Sequence, residues 1–308
     1  MGGSGGFFKP PTDSIDKLVD QYKTKESTEQ FTREINAYLK SLLTQYNNRD
    51  IEAISGHLDW LKKILGKDLE GYLEMKYGGS VSKHTYVNGL SDVDILVTIN
   101  ESSLKNVDPK GVIKYFAETL RARLPRTVIS EGKLAVTVKY ADGHEIQLLP
   151  CISSDKGIKI SSSNGTEWSK IIKPFKFAEK LTEVNRRNSG RVVPVIKLFK
   201  AINNSLNKQL RLTGYHIESL AIEAFKSYKG NVTYHDMLKH LVSSASEKVL
   251  KPITDKTGQS IHVDDYLESS GSLKRMQYSK NLQRIHNKMK RAEATQSLVQ
   301  WEILFDDK

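Results

Sequence analysis

Between residue 12 and about residue 46, apolar side chains recur at three- and four-residue steps: Ile15, Leu18, Val19 and Tyr22, then Phe31, Ile35, Tyr38, Leu39, Leu42 and Leu43. That spacing lays them along one stripe of a helix. Pro10 and Pro11 stand just ahead of it, where a helix start tolerates proline. A second helical stripe carries Ile51, Ile54, Leu58, Leu61, Leu65, Leu69 and Tyr72. The period then changes to two. Val93, Ile95 and Val97 alternate with Asp92, Asp94 and Thr98, which predicts a strand. Further short β-branched runs lie at 134–138 and 146–152, and a helical stretch from about Gly111 to Leu124 separates them from the first. The polar segment 155–168, rich in Ser, Asn and Gly, predicts a loop containing a short strand at 158–160. Beyond Pro174 the helical period returns near 175–186, 191–206, 214–228, 233–250 and 272–304, with Pro194 suited to a first turn.

These segments predict an α/β (α+β) lobe over 12–172, the two leading helices included, and a helical lobe over 173–308, with a cleft between them. Residues 1–11, opening Met1-Gly2-Gly3-Ser4-Gly5-Gly6, read as a flexible leader or artificial linker outside the fold. No internal repeat is visible. The 308 residues can bury a sizeable core, and 38% hydrophobic with 27% charged is ordinary for a soluble globular chain. No run approaches the roughly 18 apolar residues of a membrane span, and no secretory leader opens the chain. The single cysteine, Cys151, excludes an internal disulfide framework and a multi-cysteine zinc site. It fits a cytoplasmic protein and is expected as a small buried hydrophobe. The eight histidines show no metal-ligand spacing along the chain. An excess of 47 Lys and Arg over 36 Asp and Glu gives a net charge of +11, in keeping with a polyanionic partner.

The candidate chemistry lies in Gly78-Gly79-Ser80-Val81-Ser82-Lys83-His84-Thr85 and in Ser91-Asp92-Val93-Asp94-Ile95-Leu96-Val97. Asp92 and Asp94, two apart on a strand, point to one face. Their mutual repulsion is relieved by a cation, and hard carboxylate oxygens suit Mg²⁺, which takes one or two carboxylates plus substrate phosphates. Gly79-Ser80, about a dozen residues earlier, lets the backbone approach a phosphate and offers N–H groups and a hydroxyl. Alone, an Asp-x-Asp is usually two solvated acids and Gly-Gly-Ser a turn. Their order, spacing and the apolar strand around the acids carry the signal.

Gly79-Ser80, the spacer and Asp92-Val93-Asp94 resemble the signature of the DNA polymerase β-like nucleotidyltransferases. Pro194-Val195-Ile196-Lys197-Leu198-Phe199-Lys200, Leu212-Thr213-Gly214-Tyr215-His216-Ile217-Glu218 and Asp255-Lys256-Thr257-Gly258 are similar to the helical-lobe motifs of one branch. That branch is the cyclic-oligonucleotide synthases of bacterial anti-phage systems, relatives of oligoadenylate synthase and cyclic GMP-AMP synthase. The resemblance spans roughly residues 12–265 and implies a polymerase β-like core with a mixed sheet plus the C-terminal helical lobe. It also implies two-metal phosphoryl transfer from nucleoside triphosphates, with two Mg²⁺ (Mn²⁺ substituting) on Asp92, Asp94 and a third carboxylate, and then ring closure. In many relatives that third acid stands three residues before a proline, a place held here by Gln147. Glu145 lies two earlier on the same strand face and is assigned the role. The competing reading leaves Gln147 in the slot, with catalysis weakened or lost.

Lys197 and Lys200, three apart on a helix, are either contacts to the triphosphate, as the motif match implies, or solvated surface lysines. Lys83 is either a phosphate contact or an exposed loop lysine. Tyr215 either stacks on a base or belongs to the core, and His216 is expected to be structural. Residues 273–291 carry Lys274, Arg275, Lys280, Arg284, Lys288, Lys290 and Arg291. Lys280, Arg284, Lys288 and Arg291 form one stripe with Leu282, Ile285 and Met289 off it. The stripe is either a solvated face or a surface for a structured RNA that switches the enzyme on. A monomer is expected. The alternatives are a template-independent RNA nucleotidyltransferase and a non-catalytic nucleic-acid-binding protein on the same fold.

Overall fold

The structure is a computed structural model that describes residues 12–305 apart from Arg49, Asp68, Ser91, Ser163, Asn164 and 255–262, with backbone alone for 12–23. The leader, Ser91 and the Asp255-Lys256-Thr257-Gly258 motif therefore lie outside the described residues. Among the described residues no helix is long and apolar enough to cross a membrane.

Two helices lead, α1 (Thr12–Asn47) and α2 (Ile51–Gly66). Asp50 caps α2 by accepting the Ala53 N–H at 2.8 Å, a bond that satisfies one of the orphan donors of the first turn. The strand-forming region follows. Strand β1 (Glu74–Tyr77) leads through the single turn α3 (Gly79–Ser82) to β2 (Val93–Thr98). Helix α4 (Pro109–Arg123) then crosses to β3 (Val128–Glu131), β4 (Val136–Lys139), β5 (Glu145–Ser154) and β6 (Gly157–Ile160). The sheet runs β1-β2-β5-β4-β3, with β6 paired to the far end of β5. Among the described residues only the β2–β5 pair is parallel, so the sheet is mixed as expected. Strand β2 lies inside the sheet and its apolar residues are buried, while Val112, Ile113, Phe116, Ala117 and Leu120 of α4 close one face.

The helical lobe comprises α5 (Pro174–Arg187), α6 (Val192–Asn204), α7 (Gly214–Phe225), α8 (Tyr234–Lys248), α9 (Leu273–Ala294) and α10 (Leu298–Glu302). Its core takes in Phe31, Ile35, Leu39 and Leu43 of α1. The first helix, counted with the α/β lobe by sequence order, thus packs its buried stripe into the second. Two further expectations are corrected. The second helix ends at Gly66, leaving Leu69 and Tyr72 beyond it. The segment 272–304 is also broken: Gln296 adopts φ +48° and Ser297 N–H returns to the Ala292 carbonyl at 2.9 Å, turning the chain so that Trp301 enters the core.

Candidate active site

The turn at α3 and the second acid are built as one unit. Gly78 N–H donates to the Asp94 carbonyl at 2.8 Å, and the Ser80 N–H bonds the Asp94 carboxylate. Gly79 has φ +46°, and a Cβ there would stand 1.6 Å from Asp94 Oδ2, so only glycine fits. Burial raises the Asp94 pKa above the ordinary carboxylate value, although the Ser80 N–H and the Lys83 and Lys200 charges oppose the shift.

Asp92 stands immediately before β2. Across the parallel pair Val93 faces Ile146 and Asp94 faces Gln147, which brings both Glu145 and Gln147 toward the acids. Gln147 Nε2 donates to Asp92 Oδ2 at 2.6 Å. Glu145 faces Lys139 on β4 and accepts from its Nζ at 2.6 Å. Burial, then the negative charges of Glu145 and Asp94, push the Asp92 pKa up to about 6, against the weaker pull of Lys139 and Gln147. A divalent cation is the group that relieves such crowding, and the oxygen-only donor set of Asp92, Asp94 and Glu145 suits a hard ion such as Mg²⁺.

Two cavities meet at Asp92. One, of about 420 Å³, is walled by Gly79, Ser80, Asp92 and Asp94 from the α/β lobe and by Lys200, Tyr215 and Glu218 from the helical lobe. The other, of about 990 Å³, is walled by the α1–α2 junction, residues 88–90 and Asp142, His144 and Glu145. Asp92 lines both; Ser80 and Glu145 line opposite ones.

Lys83 and Lys200 converge on Glu218, which is 1% exposed. Lys200 Nζ is 2.9 Å from Glu218 Oε1 and also donates to the Thr85 carbonyl at 3.0 Å; Lys83 takes the other carboxylate oxygen, and the Thr85 hydroxyl donates to the first. Burial alone would raise the Glu218 pKa, but Lys200 and Lys83 hold it below the usual range. Tyr215 tilts against Phe177 with ring centroids 4.8 Å apart, and Lys83 Nζ lies 5.4 Å from the Tyr215 ring centre. Tyr215 is thus both a core neighbour and a cavity wall.

Lys197 is separated from this group. Its Nζ donates to the Asn47 side chain at the end of α1, and the residue does not line the cavity that holds Asp92 and Asp94. His216 is buried, as expected, with Nδ1 2.8 Å from the Tyr266 hydroxyl, and burial pushes its pKa down to about 4. Lys280, Arg284, Lys288 and Arg291 are exposed on α9, while Leu282, Ile285 and Met289 are buried. Arg275 leaves the basic surface altogether: it is buried, 2.6 Å from Asp264.

Glu218 and Thr85 stand in the quoted motifs without a role, and Asn204 and Arg211 lie outside those motifs. The available signal was an acid inside the apolar run of α7, between Ile217 and Leu220. Arg211 Nη1 donates to the Asn204 side chain at 2.8 Å on the cavity wall. The fold brings His57, Asp142 and His144 together, with ligand atoms all within 4.8 Å, although nothing in their spacing pairs residues so far apart.

Glycine-rich turn, paired acids at the start of an inner strand and a helical lobe across the cleft define a nucleotidyltransferase of the polymerase β-like class. Residues 33–185 match the family model of the Second Messenger Oligonucleotide or Dinucleotide Synthetase domain, so that part of the chain carries the domain. No curated protein matches it in sequence. Among solved structures it resembles Escherichia coli MS115-1 CdnC with ATP at 16% identity and TM-score 0.66, covering 88% of this chain and 96% of that one. It also resembles the Bradyrhizobium diazoefficiens CD-NTase CdnG in complex with GTP at 12% identity and TM-score 0.64, over 84% and 92%. Vibrio cholerae DncV cyclic AMP-GMP synthase with nonhydrolyzable GTP matches at 11% identity and TM-score 0.61, over 96% and 90%. The fold is that of the cyclic-oligonucleotide synthases.

Proposed function

We propose that the chain joins nucleoside triphosphates into a cyclic di- or trinucleotide signal in bacterial anti-phage defence. The observation that carries this reading is the position of Asp92 at the junction of two cavities, with the phosphate-cradling turn on one side and Glu145 on the other. Such a layout suits a donor triphosphate in the smaller space and an acceptor hydroxyl presented from the larger. The triphosphates bound in CdnC, CdnG and DncV support the substrate class.

Asp92, Asp94 and Glu145 would hold two Mg²⁺, with Mn²⁺ able to substitute. When bound, such ions neutralise developing phosphate charge and make a hydroxyl a better nucleophile. The Ser80 hydroxyl and the Gly79–Ser80 backbone receive the phosphates, while Lys83 and Lys200 bring two positive charges against the single charge of Glu218 beside them. Tyr215 offers a ring face to a base. The acceptor oxygen bonds the α-phosphorus, the bond to the bridging oxygen breaks, and pyrophosphate leaves in line. A second round on the linear intermediate closes the ring. In the same reading, the exposed stripe of α9 receives a structured RNA that raises the rate.

The test is incubation with labelled ATP, GTP, CTP and UTP, with Mg²⁺ or Mn²⁺, with and without RNA. Phosphatase-resistant product identified by mass, lost in Asp92→Ala/Asp94→Ala, is the expected result. Extension of an added RNA primer instead makes the protein an RNA nucleotidyltransferase, and nucleic-acid binding without pyrophosphate release makes it a non-catalytic relative.

A further inference from the structure

The geometry points to a second metal site, separate from the paired acids, in which His57, Asp142 and His144 take a borderline divalent transition ion of the Zn²⁺ type. His57 comes from α2; Asp142 and His144 come from the turn between β4 and β5, closed by the Tyr140 N–H donating to the His144 carbonyl at 2.9 Å. His57 Nε2 lies 2.7 Å from Asp142 Oδ2, and His144 Nδ1 lies 3.1 Å from Asp142 Oδ1. Donors around a tetrahedral ion held at about 2.05 Å stand about 3.3 Å apart, so the two histidine–aspartate contacts would open by a few tenths of an ångström while the three ligand atoms, all within 4.8 Å of one another, gather around the ion. The three side chains are partly exposed and Gly143, at φ +89°, shapes the turn between the two turn ligands.

A second observation points the same way. His144 Nδ1 is fully buried and faces Asp142 Oδ1 at 3.1 Å without the angle of a well-formed hydrogen bond, a contact that a shared ion would replace. The His57 ring is held flat against Tyr140, centroids 3.6 Å apart and planes 16° from parallel, so its Nε2 is aimed in advance. The His144 backbone N–H also donates to Asp142 Oδ1 at 3.1 Å, which holds the carboxylate in the turn.

Two imidazoles and one carboxylate are a donor set of borderline softness, suited to Zn²⁺, Co²⁺ or Fe²⁺ and poorly suited to Mg²⁺. Asp142 and His144 line the larger cavity, so the remaining coordination positions open toward it and accept water or an anionic oxygen. Bound there, the ion would clip α2 to the turn that leads directly into Glu145.

The test uses the full chain after chelation and dialysis, titrated with Co²⁺ and then displaced with Zn²⁺. One equivalent should bind with visible Co²⁺ absorption and raise the unfolding temperature. His57→Gln and His144→Gln, on different elements, should each weaken binding at least about tenfold. Asp92→Ala/Asp94→Ala should retain the signal, which separates this site from the transferase acids and from the fate of the proposed activity. Circular dichroism of each metal-free variant checks folding. No Co²⁺ binding, binding that survives both histidine changes, or a signal lost only with Asp92 and Asp94 overturns the assignment and leaves the cluster a hydrogen-bonded clip.

Discussion

Gln147 donates its side-chain amide to Asp92 Oδ2 across 2.6 Å, so the residue in the third acid's expected place supports the first acid. Glu145, one strand period earlier, keeps a carboxylate at the mouth of the larger cavity. Glu145→Gln should lower kcat by about 100-fold or more, near 2.7 kcal/mol of barrier. Gln147→Ala removes one hydrogen bond to a carboxylate and should cost about tenfold. Single-turnover rates with labelled triphosphate check both; a larger loss for Gln147→Ala would reverse the assignment.

The acid limb of the pH profile follows from Asp92. With its pKa pushed up to about 6, the free enzyme loses the charge that receives a cation as pH falls through that value, and kcat/KM should fall with it. The stability effect has the opposite sign. The folded protein holds the proton more tightly than the unfolded chain, so the penalty for ionised Asp92 grows as pH rises from about 3.8 to about 6 and is complete above it. Asp92→Asn should therefore stabilise the metal-free protein at pH 7 by on the order of 1 kcal/mol, after allowance for its partial exposure. Thermal unfolding in chelator reads the gain, and a lower unfolding temperature for the variant would sink the argument.

Glu218 should prove more important to stability than either acid at the junction. Replacing it with Gln strands two lysines whose side chains are each 10% exposed. Removing one partner of a buried ion pair typically costs about 3–5 kcal/mol. Urea unfolding of Glu218→Gln should show a loss of that order with an unchanged slope. A loss below about 1 kcal/mol would mean that water reaches the lysines.

Lys280→Glu, Arg284→Glu and Lys288→Glu, made together, test the stripe on α9. All three residues are exposed, and the apolar residues between them stay buried, so the fold should survive. Stimulation by structured RNA should disappear while RNA-free turnover is kept, and wild-type RNA binding should weaken steeply with salt. Equal stimulation of both proteins returns the stripe to solvated surface.

Much of this is legible along the chain because it rests on local period. Strand β2 alternates, α4 to α8 repeat at helical steps, and Gly79-Ser80 with Asp92 and Asp94 is a pattern of order and spacing. Strands β1 and β3 escape because each has four residues at a sheet edge, half-buried at most, and carries little alternation. The second helix reads too long in sequence because Leu69 and Tyr72 continue its spacing past Gly66. Helix α1 precedes α2 in the chain yet packs on the helical lobe, since an apolar stripe says that a face is buried, not against what. Lys197 and Lys200 share a spacing but part at their tips, one to Asn47 and one to Glu218. The His57, Asp142 and His144 cluster has no signature at all, being made by the packing of α2 on a distant turn.

The carboxylate of Glu218 takes one ammonium from each side of the cleft, Lys83 from the α/β lobe and Lys200 from the helical one. That fastening makes the opening a caliper of set span. Widening it would separate buried charges, and narrowing it would drive Tyr215 toward the glycine turn. In the proposed reading, a triphosphate entering there would be gauged by how well it fills that gap.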